Sequence, residues 1–312
     1  MHRLISSRTN MNKKIFSLVI PALILILYLI LYLSQFSSPN NEARIIFCDV
    51  GQGDGIYLDL PNNVDVVIDG GPNNKILECL GKYMPFWDRE IEIVVLTHPQ
   101  ADHLNGLIEV MRRYQVKHFV TSPVGNTTKG YQELTKVIQE RDTTIQNIYT
   151  GDEIKISNIT LRTLWPSREY VEDNSSATIS ANILGATTTN ADLNDFSVIL
   201  QLEYGTFDAV FTGDADENIQ DEILAANTKL KPVEIFKIPH HGSRYGLLDE
   251  FIDRFEPGFA VISVGKNQWG HPTPELLSRL SLRSIPILRT DNDGDIVVIT
   301  NGQQYWIESD KN

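Results

Sequence analysis

Basic residues are scarce in this chain: 27 lysines and arginines face 40 aspartates and glutamates, a formal net charge of −13 over 312 residues. Four of the basic residues, Arg3, Arg8, Lys13 and Lys14, precede an apolar stretch and no acid does, which leaves 23 against 40 and about −17 for the rest. So acidic a surface repels nucleic acid at long range, because affinity for DNA rests on cations that neutralise phosphates. A nuclease built on this chain therefore needs local cations, from metal ions or from a basic cleft. No repeat at a solenoid period is present and no low-complexity segment follows the apolar stretch, which excludes repeat architectures. The cysteines number two: Cys48 lies in the apolar run Ile45 to Val50 and Cys79 in a helix-like stretch. An oxidising exterior permits a disulfide between them, but two buried thiols are the expected state. No lipobox-like cysteine follows the apolar run, which argues against a lipoprotein.

From Ile15 to Leu33 the residues are apolar apart from Ser17, with one proline, Pro21. That is about the 20 residues a helix needs to cross a bilayer. The basic residues before it put residues 1–14 in the cytoplasm and everything after the span outside. A cleaved signal peptide usually has an apolar region of ~7–15 residues and a small-x-small cleavage site, which Ser34-Gln35-Phe36-Ser37-Ser38 matches poorly. The expectation is a single-pass protein of the cell membrane, anchored through residues 15–34, with a polar linker at 35–43 and an extracytoplasmic catalytic domain at 44–309.

Within that domain the pattern is α/β. Arg44 to Val50, Gly55 to Leu60 and Val64 to Ile68 read as three strands joined by turns, a meander that begins a sheet. A helix-like stretch, Lys75 to Tyr83, leads to the apolar strand Ile91 to Leu96, and helix-like Leu104 to Tyr114 follows. Glu169 to Leu193, rich in Ser, Thr, Asn and Ala, reads as a long loop. In the second half, strands Phe196 to Leu202, Phe207 to Phe211, Val233 to Ile238 and Phe259 to Val264 alternate with helices Glu217 to Asn227 and Pro274 to Leu280.

Three of these strands end in residues that bind metals. The strand Ile91 to Leu96 gives way to Thr97-His98-Pro99-Gln100-Ala101-Asp102-His103, the strand Phe207 to Phe211 to Thr212-Gly213-Asp214, and the strand Val233 to Ile238 to Pro239-His240-His241. Imidazole and carboxylate together suit a divalent cation of the zinc, manganese or iron type. Strand ends converge at one edge of an α/β sandwich, so residues distant in sequence can meet around metal there.

Asp49-Val50-Gly51-Gln52-Gly53-Asp54, Ile68-Asp69-Gly70-Gly71, the segment Thr97 to Gly106, Phe211-Thr212-Gly213-Asp214-Ala215, Pro239-His240-His241-Gly242-Ser243 and Ser263-Val264-Gly265-Lys266-Asn267 with Gly270-His271-Pro272 occur in that order. Together they resemble the metallo-β-lactamase-fold superfamily, and within it the extracellular hydrolase domain of ComEC-type DNA-uptake competence proteins. The resemblance covers roughly residues 44–300. It implies a four-layer αββα sandwich with metal at the edge of its two sheets. It assigns His98 to a first metal position, Asp102 and His103 to a second, and Asp214 to both. One of His240 and His241 completes the second position; spacing does not choose, and His240, which follows the strand directly, is slightly preferred.

Two departures from the superfamily pattern bear on the metal. Gln100 stands where the second His of His-x-His-x-Asp-His belongs, and Asn194-Asp195 stand where a third is expected. The first position then keeps His98, Asp214 and an oxygen from Asn194, Asp195 or Gln100, which tilts the preference from zinc toward manganese or magnesium, or leaves a single ion. The resemblance implies a metal-dependent phosphodiesterase or nuclease in which one or two divalent ions, zinc or manganese, make water acidic enough to attack. Asp102 is the expected proton acceptor, Lys266, Asn267 and His271 phosphate binders or leaving-group acids, and Asp54 and Gln52 braces of the site. The channel of the competence family needs many spanning helices, so a separate membrane channel protein is an expected partner. The alternatives are hydrolysis of a cell-envelope phosphodiester, such as a teichoic-acid or phosphorylcholine ester, and a non-catalytic, metal-braced part of a DNA-uptake or surface assembly.

Overall fold

The structure is a computed structural model that describes residues 19–29, 41–177, 184–185, 187–226 and 229–311. Apolar residues with a period of two build its first sheet from β1 (Ala43–Phe47), β2 (Gly55–Leu60), β3 (Val64–Gly70), β4 (Glu90–Leu96), β5 (Gln115–Thr121) and β6 (Thr144–Asn147). The second sheet takes β7 (Glu153–Ile156), β8 (Ile159–Trp165), β11 (Ile199–Tyr204), β12 (Phe207–Phe211), β13 (Ile235–Lys237), β14 (Phe259–Ile262) and β15 (Ile287–Arg289). Between β8 and β11, β9 (Ser176–Ala177) and β10 (Thr187–Thr188) form a small ribbon. The chain then returns to the first sheet as β16 (Ile296–Thr300) and β17 (Tyr305–Ser309), giving the orders β17-β16-β1-β2-β3-β4-β5-β6 and β15-β14-β13-β12-β11-β8-β7.

In β1, Ile45 and Phe47 enter the core between the sheets, where they join Leu58, Ile68 and Val95 and meet Leu200, Leu202 and Phe211 of the opposite sheet. Ile46, one residue out of phase, faces the other way. There, α2 (Lys75–Tyr83), α3 (Ala101–Arg113) and α4 (Lys129–Gln139) cover the first sheet with Leu80, Leu107, Val110, Leu134 and Ile138. On the far side, α6 (Glu217–Ala225), α7 (Asp249–Phe255) and α8 (Pro274–Leu282) bury Ile219, Phe251, Phe255 and Leu276 against Val210, Phe236 and Ile262. The layers run helix, sheet, sheet, helix, as expected.

The strands β3 to β6 are parallel, and so are β12 to β15. Parallel strands present all their C-terminal ends on one edge, and the two sheets touch beside the end of β4: Val198 N, just before β11, donates to Thr97 O at 2.9 Å. Glycines allow the loops of that edge to touch. A Cβ on Gly106 of α3 would lie 1.9 Å from Gly70 O, and one on Gly265 would lie 2.4 Å from the carbonyl carbon of Gly51.

Three expectations fail. Among the described residues no helix is long and apolar enough to cross a membrane. The described part of the expected span 15–34 is an exposed helix at residues 19–29, α1. The single-pass cell-membrane placement drawn from that span falls with it; the remainder of the span lies outside the described residues. Cys48 and Cys79 are a disulfide, not two thiols: β2 and β3 bring α2 back over the end of β1, and the Cα atoms come within 5.9 Å. Closing a loop of 31 residues in this way stabilises a fold by about 3–4 kcal/mol in the chain-entropy view. Finally, the stretch read as a loop from Glu169 contains α5 (Arg168–Asn174), capped by Ser167, whose hydroxyl accepts from Tyr170 N at 3.0 Å, and then the β9–β10 ribbon.

Candidate metal centre

Asp102 and His103 stand in the first turn of α3, which begins three residues earlier than the apolar pattern indicates. The helix start aims both side chains at the gap between the sheets. There His103 and Asp102 meet Asp214, from the turn after β12, and His241, from the turn after β13; one ligand-type atom of each of the four lies within 4.8 Å of those of the others. His241 Nε2 lies 3.4 Å from Asp102 Oδ2 and 3.4 Å from Asp214 Oδ2, and His103 Nε2 lies 3.4 Å from Asp214 Oδ1.

The other ring nitrogens are held from behind. Asp69, at the end of β3 with φ 58°, contacts His103 Nδ1 at 2.8 Å and accepts from Thr97 N at 2.8 Å and Thr97 Oγ1 at 2.7 Å. His241 Nδ1 donates to Ser263 O at 2.9 Å, beside Asp54 Oδ1 at 3.4 Å. A carboxylate or carbonyl behind each imidazole fixes its tautomer and turns Nε2 to the cluster. The fit to a cation then rests on four buried atoms without a hydrogen-bond partner: His98 Nε2, His103 Nε2, His241 Nε2 and Asp214 Oδ1. Such a buried atom costs on the order of 1–3 kcal/mol when unpaired, and a divalent ion ligated by imidazole and carboxylate satisfies it.

Of the two adjacent histidines, the structure brings His241 to the cluster and not His240, the one slightly preferred from the sequence. Both histidines adopt left-handed backbone, φ 47° at His240 and 52° at His241, a conformation that costs a side-chain-bearing residue about 1–2 kcal/mol. The two turns send the rings apart: His241 goes inward and His240 toward Asp216, whose Oδ1 lies 2.9 Å from its Nδ1. His240 Nε2 stays 4.0 Å from Asp214 Oδ2.

His98 is fully buried, its ring 4.1 Å from that of His103 between centroids, and it is not one of the four clustered residues. Of the oxygens expected beside it, that of Asn194 accepts a hydrogen bond. Gln100 Nε2 donates to Asn194 Oδ1 at 2.7 Å, and Asp195 lies apart, its carbonyl accepting from Trp165 Nε1 at 2.7 Å. Lys266 and His271 line the open cavity of about 1260 Å³ in front of Asp102 and His241, with Trp269 at its rim. Gln52 accepts from Gly265 N at 3.2 Å and so ties two loops of this edge together.

Lys237, in β13, is the residue that sequence reasoning missed. Its side chain is wholly buried, its ammonium pairs with Asp54, donates to Gly213 O at 2.7 Å and lies 3.8 Å from Asp214 Oδ1. A lone lysine in the apolar run Ile235-Phe236-Lys237-Ile238 was the available signal, since a buried ammonium needs a partner. Asp69 and Asp216 were also passed over as partners of histidines.

The charges follow from this packing. Burial opposes the cationic form of His103, but Asp214 and Asp69 outweigh it and hold its pKa well above the usual imidazole value. Burial is likewise outweighed at His241, by Asp214, Asp102 and Asp54. His98 is pushed down to about 3 by burial and by the neighbouring His103. Burial would raise Asp54 and Asp214, but Lys237 for the first and the two clustered histidines for the second hold these carboxyls below their usual range.

Comparison with known proteins agrees with this geometry. The sequence family described as "Metallo-beta-lactamase superfamily" matches residues 50–266. The chain is 27% identical over 278 residues to ComE operon protein 3 of Bacillus subtilis, covering 82% of this chain and 33% of that protein. It is 24% identical over 283 residues to Recombination protein 2 of Haemophilus influenzae, covering 88% of this chain and 31% of that one. It therefore spans about a third of the length of these relatives. Among solved structures, the metallo-β-lactamase fold protein YhfI from Bacillus subtilis superposes with a TM-score of 0.51 at 11% identity, over 83% of this chain and 100% of that one, a likeness of fold.

Proposed function

We propose that this chain, which belongs to the metallo-β-lactamase superfamily and is a metal-dependent hydrolase related to competence proteins, cleaves phosphodiester bonds, with DNA as the first substrate class. The observation that carries this reading is the cluster of Asp102, His103, Asp214 and His241 with its unpaired buried atoms facing one another. Those four residues would hold a divalent ion. Bound there, such an ion supplies Lewis acidity and makes a water molecule acidic enough to serve as nucleophile near neutral pH.

The chain's own residues do the rest. Asp102, whose side chain is 29% exposed, is the most exposed member of the cluster, and it orients the attacking water and accepts its proton. Asp69 and Ser263 O keep the two imidazoles in the tautomer that presents Nε2. Lys266 offers an ammonium to the non-bridging phosphate oxygens. His271 has its pKa lowered by burial and by His240 and His241, so its ring is neutral near pH 7 and serves as a hydrogen-bonding group more readily than as a proton donor.

The test uses the full chain with manganese, and separately zinc, against single-stranded DNA, duplex DNA and bis(p-nitrophenyl) phosphate. Metal-dependent turnover that falls on the order of a hundredfold or more in Asp102→Ala is the expected result. No turnover of any of the three, together with unchanged behaviour of Asp102→Ala, sinks the hydrolase reading. The net charge of −13 favours a second reading, a cell-envelope phosphodiester such as a teichoic-acid or phosphorylcholine ester, which an acidic surface repels less than DNA. Turnover of glycerophosphodiesters in preference to DNA selects it.

A further inference from the structure

At the mouth of the cavity, Trp269 is 61% exposed, a large apolar ring in water. Of the large hydrophobic side chains most open to solvent among the described residues, it is the one on this cavity. Its loop is rigid. Asn267 accepts from Trp269 N at 3.1 Å and His271 N at 3.0 Å, and donates to Gly265 O at 2.9 Å and His271 O at 2.8 Å. Four hydrogen bonds from one carboxamide hold the loop in shape, and Gly270 turns it with φ 76°. From Trp269 a row of rings leads inward: His271 at 6.4 Å between centroids, His240 at 5.7 Å from that, and His241 at 6.2 Å beyond. Lys266, three residues before Trp269, is exposed on the same cavity and has no carboxylate partner among the described residues.

A fixed, exposed aromatic ring beside an ammonium, a few ring widths from a hydrolytic centre, is what a strand with unstacked bases uses: the π-face takes a base and the cation a phosphate. We propose that Trp269 is a base-stacking platform, and that the site takes a single strand carrying nucleobases, one base on Trp269 and a phosphate of the same strand at Lys266 and the cluster. A duplex keeps its bases inside the stack, out of reach of the platform. A polyol phosphodiester has no ring to offer it. The platform also gives the acidic chain a source of affinity that does not depend on net charge. This inference rests on the phosphodiesterase reading and sharpens its substrate.

The experiment measures binding apart from turnover. The full chain, with calcium in place of a catalytic metal, is titrated with a single-stranded oligothymidylate and with a strand of equal length made of abasic units, following fluorescence anisotropy of a label on the strand and quenching of tryptophan emission. Wild-type protein is expected to bind the base-bearing strand about tenfold more tightly than the abasic one. Trp269→Ala is expected to erase that difference and the quenching, and Trp269→Phe to keep part of it. Equal affinity for the two strands, a preference that survives Trp269→Ala, or no binding of the single strand overturns the platform. If the preference holds and is lost in Trp269→Ala while no strand is hydrolysed with manganese or zinc, the platform stands and the hydrolase reading alone fails.

Discussion

The Gln100 carboxamide donates to Asn194 Oδ1 at 2.7 Å, so two side chains standing where the superfamily pattern calls for imidazoles are hydrogen-bonded to each other. The position around His98 thus lacks two of the imidazoles of that pattern, whereas the neighbouring position has Asp102, His103, Asp214 and His241 within reach of one another. A position that has lost imidazoles holds a transition metal or manganese ion less firmly than one with four imidazole and carboxylate ligands. The chain is therefore expected to retain one divalent ion after dialysis, measured as metal per chain by mass spectrometry. Gln100→His, which breaks the carboxamide pair and restores a nitrogen ligand, is expected to raise that content toward two. Two tightly held ions in the wild-type protein contradict the assignment.

The opposite directions of the two adjacent histidines give a sharper contrast. His241→Ala removes a ligand atom from the cluster and is expected to weaken metal binding by more than about a hundredfold, while His240→Ala removes a ring bound to Asp216 and changes it by less than about tenfold. Binding must also displace protons, because His103 and His241 have raised pKa values in the metal-free protein and ligate only as neutral rings. Affinity consequently rises with pH through the neutral range and falls in acid, with proton release visible as buffer-dependent heat in titration calorimetry. Equal losses in the two variants, or an affinity flat in pH, contradict the geometry.

Lys237 and Asp54 form an ion pair with side chains 0% and 2% exposed. Removing one partner of such a pair leaves the other charge buried without compensation. Lys237→Met is expected to cost about 3–5 kcal/mol of stability by urea denaturation, and Lys237→Met combined with Asp54→Asn to recover part of it. A Lys237→Met variant as stable as wild type shows that the pair does not brace the turn after β12.

Much of this edge is legible in the sequence because ligand-type residues after apolar strands are rare and each strand end marks itself. Leu96 to His103, Phe211 to Asp214 and Ile238 to His241 were all visible as such. What the sequence does not carry is direction. His240 and His241 are adjacent, and it is their left-handed backbone that sends one ring inward and the other toward Asp216. The start of α3 was read late because Gln100-Ala101-Asp102 looks polar and loop-like, although it is a first helical turn with an acid favoured by the helix dipole. Long-range pairings such as Lys237 with Asp54, or Cys48 with Cys79, depend on the order of strands in the sheets, which local patterns do not determine. The missed α5 is different in kind: Ser167 is an N-cap readable in the sequence.

Asp65 links stability to pH far from the metal cluster. It is 4% exposed, accepts a hydrogen bond from Tyr57 OH at 2.5 Å, and its pKa is raised by burial to about 7 in spite of that bond, with Asp59, Asp88 and Glu92 adding to the rise. An acid whose folded pKa exceeds its unfolded value of 3.8 keeps its proton longer in the native state. The native state then binds more protons than the unfolded one between about pH 4 and pH 7, and stability falls as pH rises through that window. A shift of this size corresponds to on the order of 2–4 kcal/mol. Asp65→Asn keeps the acceptor for Tyr57 and removes the titration. It is expected to exceed wild type in stability at pH 8 by on the order of 2 kcal/mol and to approach it near pH 4.5, as read from urea midpoints at the two pH values. If wild type and Asp65→Asn change in parallel between those values, Asp65 is already ionised in the folded protein and its burial carries no such cost.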